Sequence, residues 1–254
     1  MTELTAFGVK LNFADYSDIL ELIKKGYSPS SGMRHVMSLN PETVMIALEN
    51  KSFIEAVRKA HFVIADGIGV VVAIQTLFGV RVPRVPGVDL MERLLTTNYR
   101  NSLTVCLIGG KGKVADKVRE CYGQNQKELK IIAVEGYNDI FNQTKSEDDA
   151  IFSIVSLLKP HLVFVAFGSP QQELWIERHR ELFRNTVVIG VGGAFDFLSG
   201  VTPRAPLFLR KMGLEWLFRL VRQPWRIKRQ MKLLVFFIYV LIYKMKQLLA
   251  FSRQ

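Results

Sequence analysis

Short apolar runs that end in glycine or next to it recur along the first 200 positions of the chain. Five of them have the length of buried strands, and they cover residues 61–65, 103–108, 130–134, 162–167 and 186–191. Runs of this length, bounded by glycine, are typical of strands that are covered on both faces. The pattern therefore predicts a largely buried parallel sheet.

The segments between these runs have the spacing of amphipathic helices. We predict helices over residues 41–60, 114–121, 148–158 and 171–183. The first follows Asn40, a residue type that caps helices well, and has Pro41 in its first turn. Alternation of strands and helices predicts an α/β fold, a Rossmann-like parallel sheet with helices on both faces.

The strand pattern stops near Pro206, and the rest of the chain has a helical pattern. We predict helices over residues 207–222 and 225–251, with a kink at Pro224 between them. Gly200, Pro203 and Pro206 cluster where the pattern changes, as in a domain boundary. The sequence thus predicts an α/β domain over residues 1–203 and a helical C-terminal appendage over residues 204–254.

The positive charge of the chain is concentrated in this appendage. The chain has 34 Lys and Arg against 23 Asp and Glu, a net charge of +11. Residues 201–254 hold 12 of the basic side chains and a single acid, Glu215, whereas residues 1–200 are electrically balanced. Such an asymmetry indicates an anionic partner, either a nucleic acid or a membrane.

An uninterrupted apolar run, residues 233–243, lies in the appendage between Lys232 and Lys244. A helix needs about 20 apolar residues to cross a hydrocarbon core, and lysines within it are costly. A spanning helix stays open, but the pattern favours a basic amphipathic helix that lies in the membrane interface. Because the run is too apolar for a groove-binding helix, we expect a membrane surface and no nucleic acid as partner.

Two further features are compatible with a cytoplasmic location. The first 13 residues lack the charged start and long apolar run of a signal peptide. The two cysteines, Cys106 and Cys121, are too few for a disulfide scaffold, and both lie in apolar patterns that predict reduced packing residues.

Candidate chemistry gathers at the predicted strand ends, where ligands of open α/β sheets bind. Glycines lie there at Gly67, Gly109–Gly110, Gly168 and Gly192–Gly193, and glycine lets backbone N–H groups approach a phosphate closely. For any one of these turns taken alone, an ordinary turn at the end of a strand is the favoured interpretation. None matches a dinucleotide fingerprint or a P-loop, so the turns predict only a ligand with phosphates or hydroxyls.

Three carboxylates occupy positions of interest. Asp66 ends one strand and precedes an almost wholly apolar segment, where it could act as a general base or cap the next helix. Asp196, after Gly193, has the same two interpretations, whereas Asp89 has the position of a helix cap. The residues alone do not decide the role of Asp66.

Several other chemistries lack their motifs. The sequence has no His and Cys cluster with zinc spacing, no Gly-x-Ser-x-Gly nucleophile and no Asp-x-Asp pair for a divalent cation. We therefore predict neither a metal nor a cofactor.

Arginines in the appendage repeat with helical spacing at Arg219, Arg222, Arg226 and Arg229. They would share one face if Pro224 only kinks the helix. Such a face is either solvated and attracted to anionic lipid, or it also holds the phosphates of a substrate with the planar guanidinium fork.

Seven segments in order resemble the WecG/TagA/CpsF glycosyltransferases, glycosyltransferase family 26. They cover residues 38–42, 65–70, 84–90, 168–173, 190–196, 204–206 and 213–220. Each is weak alone, but seven at compatible spacings over residues 38–230 are specific. Two positions differ from the family pattern, because Ser38 replaces a threonine and Gln171 replaces a lysine.

The resemblance implies an inverting, metal-independent glycosyltransferase. It would move N-acetylmannosamine, its uronic acid or a related hexose from a UDP-sugar to a polyprenyl-diphosphate-linked saccharide in cell-surface polysaccharide biosynthesis. Asp66 would be the catalytic base, and the appendage would dock on the cytoplasmic face of the cell membrane and complete the site. A membrane-associated nucleotide-sugar-binding module without activity is the alternative.

The strand-end turns and the resemblance together nominate a set of substrate-binding residues. They are Ser38, Asn40, Gly67, Arg84, Gly109, Gly110, Gln172, Glu173, Gly192, Gly193, Asp196, Arg204, Arg219 and Arg222.

Overall fold

A computed structural model describes residues 1–25, 32–124 and 128–251, without the side chains of residues 226, 228–230, 250 and 251. One sheet has the order β1-β2-β4-β3-β8-β7-β5-β6, in which only the β1–β2 pair is antiparallel. The strands are β1 Thr2–Ala6, β2 Val9–Phe13, β3 Arg34–Leu39, β4 Phe62–Ala65, β5 Leu103–Gly109, β6 Leu129–Val134, β7 Leu162–Ala166 and β8 Val187–Gly190.

Helices cover both faces of this sheet, which confirms the predicted fold class. The helices are α1 Tyr16–Lys24, α2 Pro41–Glu49, α3 Lys51–Lys59, α4 Ile68–Phe78, α5 Gly87–Thr96, α6 Val114–Gly123, α7 Lys145–Leu158, α8 Gln171–Arg178, α9 Ala194–Leu198, α10 Leu207–Lys211, α11 Glu215–Arg222 and α12 Ile227–Phe251. Helices α1, α5, α6 and α9 pack on one face. Helices α2, α3, α4, α7 and α8 pack on the other.

The five predicted strands are present, but three others were not predicted. Strands β1 and β2 form an edge hairpin in which buried and exposed positions alternate, so they lack a continuous apolar run. Strand β3 is buried in the middle of the sheet although it contains His35 and Ser38. These polar residues interrupt the apolar pattern that identifies the other central strands.

Three predicted helices are broken in the structure. Residues 41–60 form two helices because Asn50 is extended and its side chain accepts a hydrogen bond from the Phe53 N–H, capping α3. Residues 171–183 form α8 and a separate 3₁₀ turn at Arg180–Phe183. Residues 207–222 divide at Gly213, which has φ +77°. Gly213 packs closely on Ile68, since a Cβ added to Gly213 would lie 2.9 Å from the Ile68 Cβ.

The long helix α12 packs against the α/β body. Phe236 and Val240 are buried in the core cluster that also contains residues of α2 and α4. Gly69 lets α4 pack closely on the start of α2, because a Cβ there would lie 2.6 Å from Pro41 Cγ. Within the described part of the chain, no helix is both long enough and apolar enough to cross a membrane.

Two smaller predictions are wrong. Cys121 is exposed on α6 and is not a packing residue, although Cys106 is buried. The arginines at 219 and 222 do not continue onto one helical face at 226 and 229, because α11 ends at Arg222 and a 3₁₀ turn, Pro224–Arg226, intervenes. The side chains of Arg226 and Arg229 lie outside the described residues.

Candidate active site

The carboxyl ends of β3, β4, β7 and β8 meet at a cavity of about 510 Å³. Helix α11 folds back from the appendage and supplies its other wall. Nine of the sequence-predicted residues line this first cavity, namely Ser38, Asn40, Asp66, Gln172, Gly192, Gly193, Asp196, Arg219 and Arg222.

The remaining predicted residues lie elsewhere. Gly67 and Arg84 line a second cavity on the other side of Asp66. Gly109 packs against the ring of Phe167, and Gly110 packs against Val114, so both glycines are required by close packing. Glu173 and Arg204 lie outside the lining of both cavities.

Asp66 lies between the two cavities and lines both. It follows β4 directly, and its backbone N–H donates to the Leu39 carbonyl of the neighbouring strand (2.8 Å). The Ser38 hydroxyl donates to Asp66 Oδ2 at 3.4 Å, and the Gly87 N–H also donates to this carboxylate. The end of β4, Ser38 and the start of α5 thus hold the Asp66 carboxylate where it lines both cavities.

Asp66 does not cap helix α4, the helix that follows it. Helix α4 is capped by Gly67, with no side-chain hydrogen bond. Burial raises the pKa of Asp66, and Glu215 raises it further, whereas Arg219, the Gly87 N–H and the Ser38 hydroxyl act in the opposite direction. A carboxyl group whose pKa is raised in this way is better suited to accepting a proton than an exposed aspartate.

Gln172 connects two of the strand-end loops. Its Oε1 accepts hydrogen bonds from the Gly168 N–H (3.2 Å) and the Gly192 N–H (3.0 Å). Its Nε2 donates to Glu173 Oε1 at 2.7 Å, and Ser169 Oγ donates to the same oxygen at 2.8 Å. Glu173 is fully buried, and burial raises its pKa. It therefore holds Gln172 in place from behind the cavity wall.

Arg219 is a cation whose charge lowers the pKa of the Asp66 carboxyl group. Its Nη2 donates to Glu215 Oε1 at 2.7 Å, and its guanidinium lies 4.2 Å over the ring of Phe197. Burial alone would raise the pKa of Glu215, but Arg219 and Arg204 hold that pKa below its usual value. Arg219 is therefore oriented toward the cavity by an ionised glutamate and an aromatic face.

Arg204 connects the appendage to α5. It pairs with Asp89 at 2.6 Å and with Glu215 at 3.5 Å. Asp89 is therefore an ion-pair partner and not the predicted cap, since the N-cap of α5 is Pro86. Arg84 adds a second connection, because its guanidinium donates to the carbonyl of Arg210 at 2.6 Å. These contacts hold α10 and α11 beside the first cavity.

We expect Arg204→Gln to lower the free energy of unfolding by about 2 kcal/mol, a value between those of exposed and buried ion pairs. The Arg204 side chain is only 13% exposed, so its loss leaves Glu215 and Asp89 without a shared cation. Urea denaturation of the full chain measures the change. The matched control is Arg184→Gln, because the Arg184–Glu181 pair is exposed. Equal losses in both variants would contradict this role of Arg204.

The sequence did not nominate some residues that line the first cavity. Ser169, Phe197, Glu215 and Phe218 belong to this group. A signal existed for Glu215, which is the single acid of a strongly basic segment. Phe197 has no comparable signal, because an aromatic residue in an apolar stretch is predicted to be a core residue.

The described side chains include no group of three or more His, Cys, Asp or Glu that could hold a metal ion. The polar lining of the first cavity consists of amide and hydroxyl groups, glycine turns, two arginines and four carboxylates, namely Glu42, Asp66, Asp196 and Glu215. Such an arrangement can bind an anionic ligand and remove a proton from it or from a second ligand.

A mostly parallel α/β sheet with a carboxylate, glycine turns and arginines at its carboxyl edge is an arrangement suited to a ligand that carries phosphates. Residues 4–249 match the glycosyl transferase WecG/TagA/CpsF family. The chain belongs to this family and is a glycosyltransferase, as the seven segments predicted.

Two relatives match most of this chain and have a similar length. The N-acetylglucosaminyldiphosphoundecaprenol N-acetyl-beta-D-mannosaminyltransferase of Staphylococcus aureus strain MW2 is 30% identical over 233 residues, which cover 91% of this chain and 89% of the relative. The protein of the same name from strain NCTC 8325 / PS 47 is 31% identical with the same coverage.

Proposed function

We propose that this glycosyltransferase moves N-acetylmannosamine from a UDP-sugar to N-acetylglucosamine linked to polyprenyl diphosphate. The names of the relatives from Staphylococcus aureus include this sugar and an undecaprenyl-diphosphate acceptor. The observation that best supports the proposal is the position of Asp66, which lines a polar cavity and a more apolar one at the same time. A carboxylate in this position can serve a donor and a lipid-linked acceptor that enter from different sides.

The first cavity suits the nucleotide-sugar donor. Backbone at Gly168, Gly192 and Gly193 borders it, and Gln172 fixes the first two of these turns. Glycine backbone can approach phosphates and hydroxyls closely. We assign Asn40 and Asp196, which line the same cavity, to the hydroxyl groups of the donor.

The reaction needs one proton transfer and one displacement. Asp66 takes the proton of the acceptor hydroxyl, whose oxygen attacks the anomeric carbon of the donor. The bond between that carbon and the diphosphate oxygen breaks with inversion, and UDP leaves with the bonding electrons. We propose that Arg219 and Arg222 stabilise the negative charge of the diphosphate, without a metal ion.

The appendage suits a membrane surface as its partner. Large apolar side chains of α10, α11 and α12 are exposed, among them Phe208, Val221, Trp225, Leu234 and Leu241. Basic residues are interspersed with them, and apolar side chains combined with positive charge favour binding in the interface of an anionic bilayer. We therefore place the protein at the cytoplasmic face of the cell membrane, bound peripherally through residues 204–254.

A donor panel tests the proposed reaction. Purified protein is incubated with UDP-N-acetylmannosamine, its uronic acid, UDP-glucose or UDP-glucuronic acid, with and without prenyl-diphosphate-linked N-acetylglucosamine. We expect release of UDP that requires the acceptor, is highest with UDP-N-acetylmannosamine and persists in EDTA. Binding of UDP-sugar without acceptor-dependent release would favour a binding module, and highest turnover with another donor would correct the sugar.

The rate should depend on pH through Asp66. The base must be ionised to act, so kcat/KM should fall as the pH is lowered through the pKa of Asp66. Because burial raises this pKa, the fall should occur at a higher pH than it would for an unperturbed aspartate. Arg219 lowers this pKa, so Arg219→Gln should move the acidic limb of the profile to higher pH. Initial rates between pH 4 and 9 measure both effects. A limb that moves to lower pH in the variant would contradict this assignment.

A further inference from the structure

The second cavity, of about 440 Å³, extends from Asp66 toward the long helix α12. Three elements form its apolar walls. These are the start of α4 with Ile68 and Gly69, the segment before and within α11 with Leu214 and Trp216, and α12 with Leu233 and Phe237.

The two ends of this cavity differ in chemistry. Asn40, Glu42, Asp66, Glu215 and Arg219 line both cavities, and Arg84 lines the second one. The residues that α12 contributes, Leu233 and Phe237, are both apolar. A ligand with a polar part near Asp66, an anionic group that an arginine can pair with, and an apolar part toward α12 therefore suits this cavity.

Several walls of the cavity remain partly uncovered. Ile68 is 38% exposed and Phe237 is 39% exposed, although both belong to packed helices. The adjoining face of α12 exposes further apolar residues, including Leu234, Ile238 and Leu241. The cavity is thus continuous with the surface that we propose lies against the membrane, and an apolar chain there would remove these side chains from water.

We propose that the second cavity binds the first isoprene units of the acceptor lipid. This assignment rests on the proposed function, since it names the part of the acceptor that the cavity takes. The acceptor diphosphate then lies near Arg84, the saccharide hydroxyl reaches Asp66, and the remainder of the lipid chain follows α12 into the bilayer. The enzyme then binds the lipid chain in this cavity, in addition to meeting it at the membrane surface.

The length of the acceptor lipid tests this inference without a membrane. Two acceptors carry the same N-acetylglucosamine diphosphate, one esterified with geranylgeraniol below its critical micelle concentration and the other with ethanol. For the wild-type protein we expect a KM at least about tenfold lower for the geranylgeranyl acceptor, equivalent to about 1.4 kcal/mol. The ratio of the two KM values is the readout, so general changes in activity cancel.

Variants on two different elements separate the cavity from the rest of the surface. Phe237→Ala on α12 and Ile68→Ala on α4 should each reduce the KM ratio toward one. The matched controls are Ile238→Ala and Leu241→Ala, which remove exposed side chains of α12 that do not line the cavity, and they should keep the wild-type ratio. Circular dichroism of each variant verifies that the helices are intact.

The possible outcomes distinguish this inference from the proposed function. A wild-type KM ratio near one, or equal losses of the ratio in cavity and control variants, would overturn the lipid assignment while transfer itself still occurs. Absence of transfer to either acceptor would instead contradict the proposed function.

Discussion

Replacement of Asp66 by asparagine should reduce sugar transfer by about 10²–10⁴-fold, the usual contribution of general acid–base catalysis. The amide has nearly the same shape and can keep the contacts to Ser38 and the Gly87 N–H, but it cannot take the acceptor proton. Transfer of labelled sugar to the lipid acceptor measures the effect. Near-wild-type turnover in a folded Asp66→Asn variant would remove Asp66 from the role of base.

Stability provides the control for this variant. Because the folded-state pKa of Asp66 is raised, the folded protein binds more protons than the unfolded chain between the two pKa values. Stability is therefore lost as pH rises through that interval, and the cost of the ionised carboxylate is fully present above it. The Asp66→Asn variant avoids this cost, so its melting temperature at neutral pH should equal or exceed that of the wild type.

Removal of Arg219 should have the second largest effect. Arg219→Ala should reduce transfer by about 10²-fold, as found for the loss of a preorganised group that stabilises developing negative charge. Arg219→Lys should recover part of the rate, because it keeps the charge but loses the planar fork. Binding to anionic vesicles should change less, since the other basic residues of the appendage remain.

Lys211→Ala is the matched control for Arg219→Ala. It removes the same charge from an exposed position on α10 that does not line the first cavity. Transfer should stay within about twofold of wild type, the range of an ordinary surface change. If both variants lose transfer and vesicle binding to the same extent, the appendage serves only as an anchor.

The carboxyl edge of the sheet could be predicted from local sequence. Asp66 and Gly192 each follow an apolar run, and the carboxyl ends of parallel strands lie along one edge. The order of the strands could not be read in this way. The turn at Gly109 was therefore nominated with the others, although β7 separates β5 from β8 and Gly109 lies against Phe167.

The contributions of the appendage were harder to predict. A basic, amphipathic segment was evident from composition, but the return of α11 over the cavity depends on contacts distant in sequence. Gly213 packs on Ile68, and Arg204 pairs with Asp89, so the break between α10 and α11 and its position follow from tertiary structure. Helical spacing alone predicted one continuous helix there.

Strand β3 illustrates a second kind of limit. The Nδ1 of its buried His35 contacts Glu177 Oε1 of α8 at 2.9 Å, a pairing that no local pattern reveals. Its Ser38 faces Asp66. The segment was therefore recognised through its resemblance to a family motif and not as a strand. The nominated site residues remain predictions until the variants are measured.

The mass of the lipid product tests the central claim most directly. Purified protein is incubated with UDP-N-acetylmannosamine and prenyl-diphosphate-linked N-acetylglucosamine, and the acceptor is then analysed by mass spectrometry. We predict a gain of one N-acetylhexosamine per acceptor, with an equal amount of UDP and a β-linkage by NMR. An acceptor of unchanged mass, in the presence of intact and folded protein, would contradict the account.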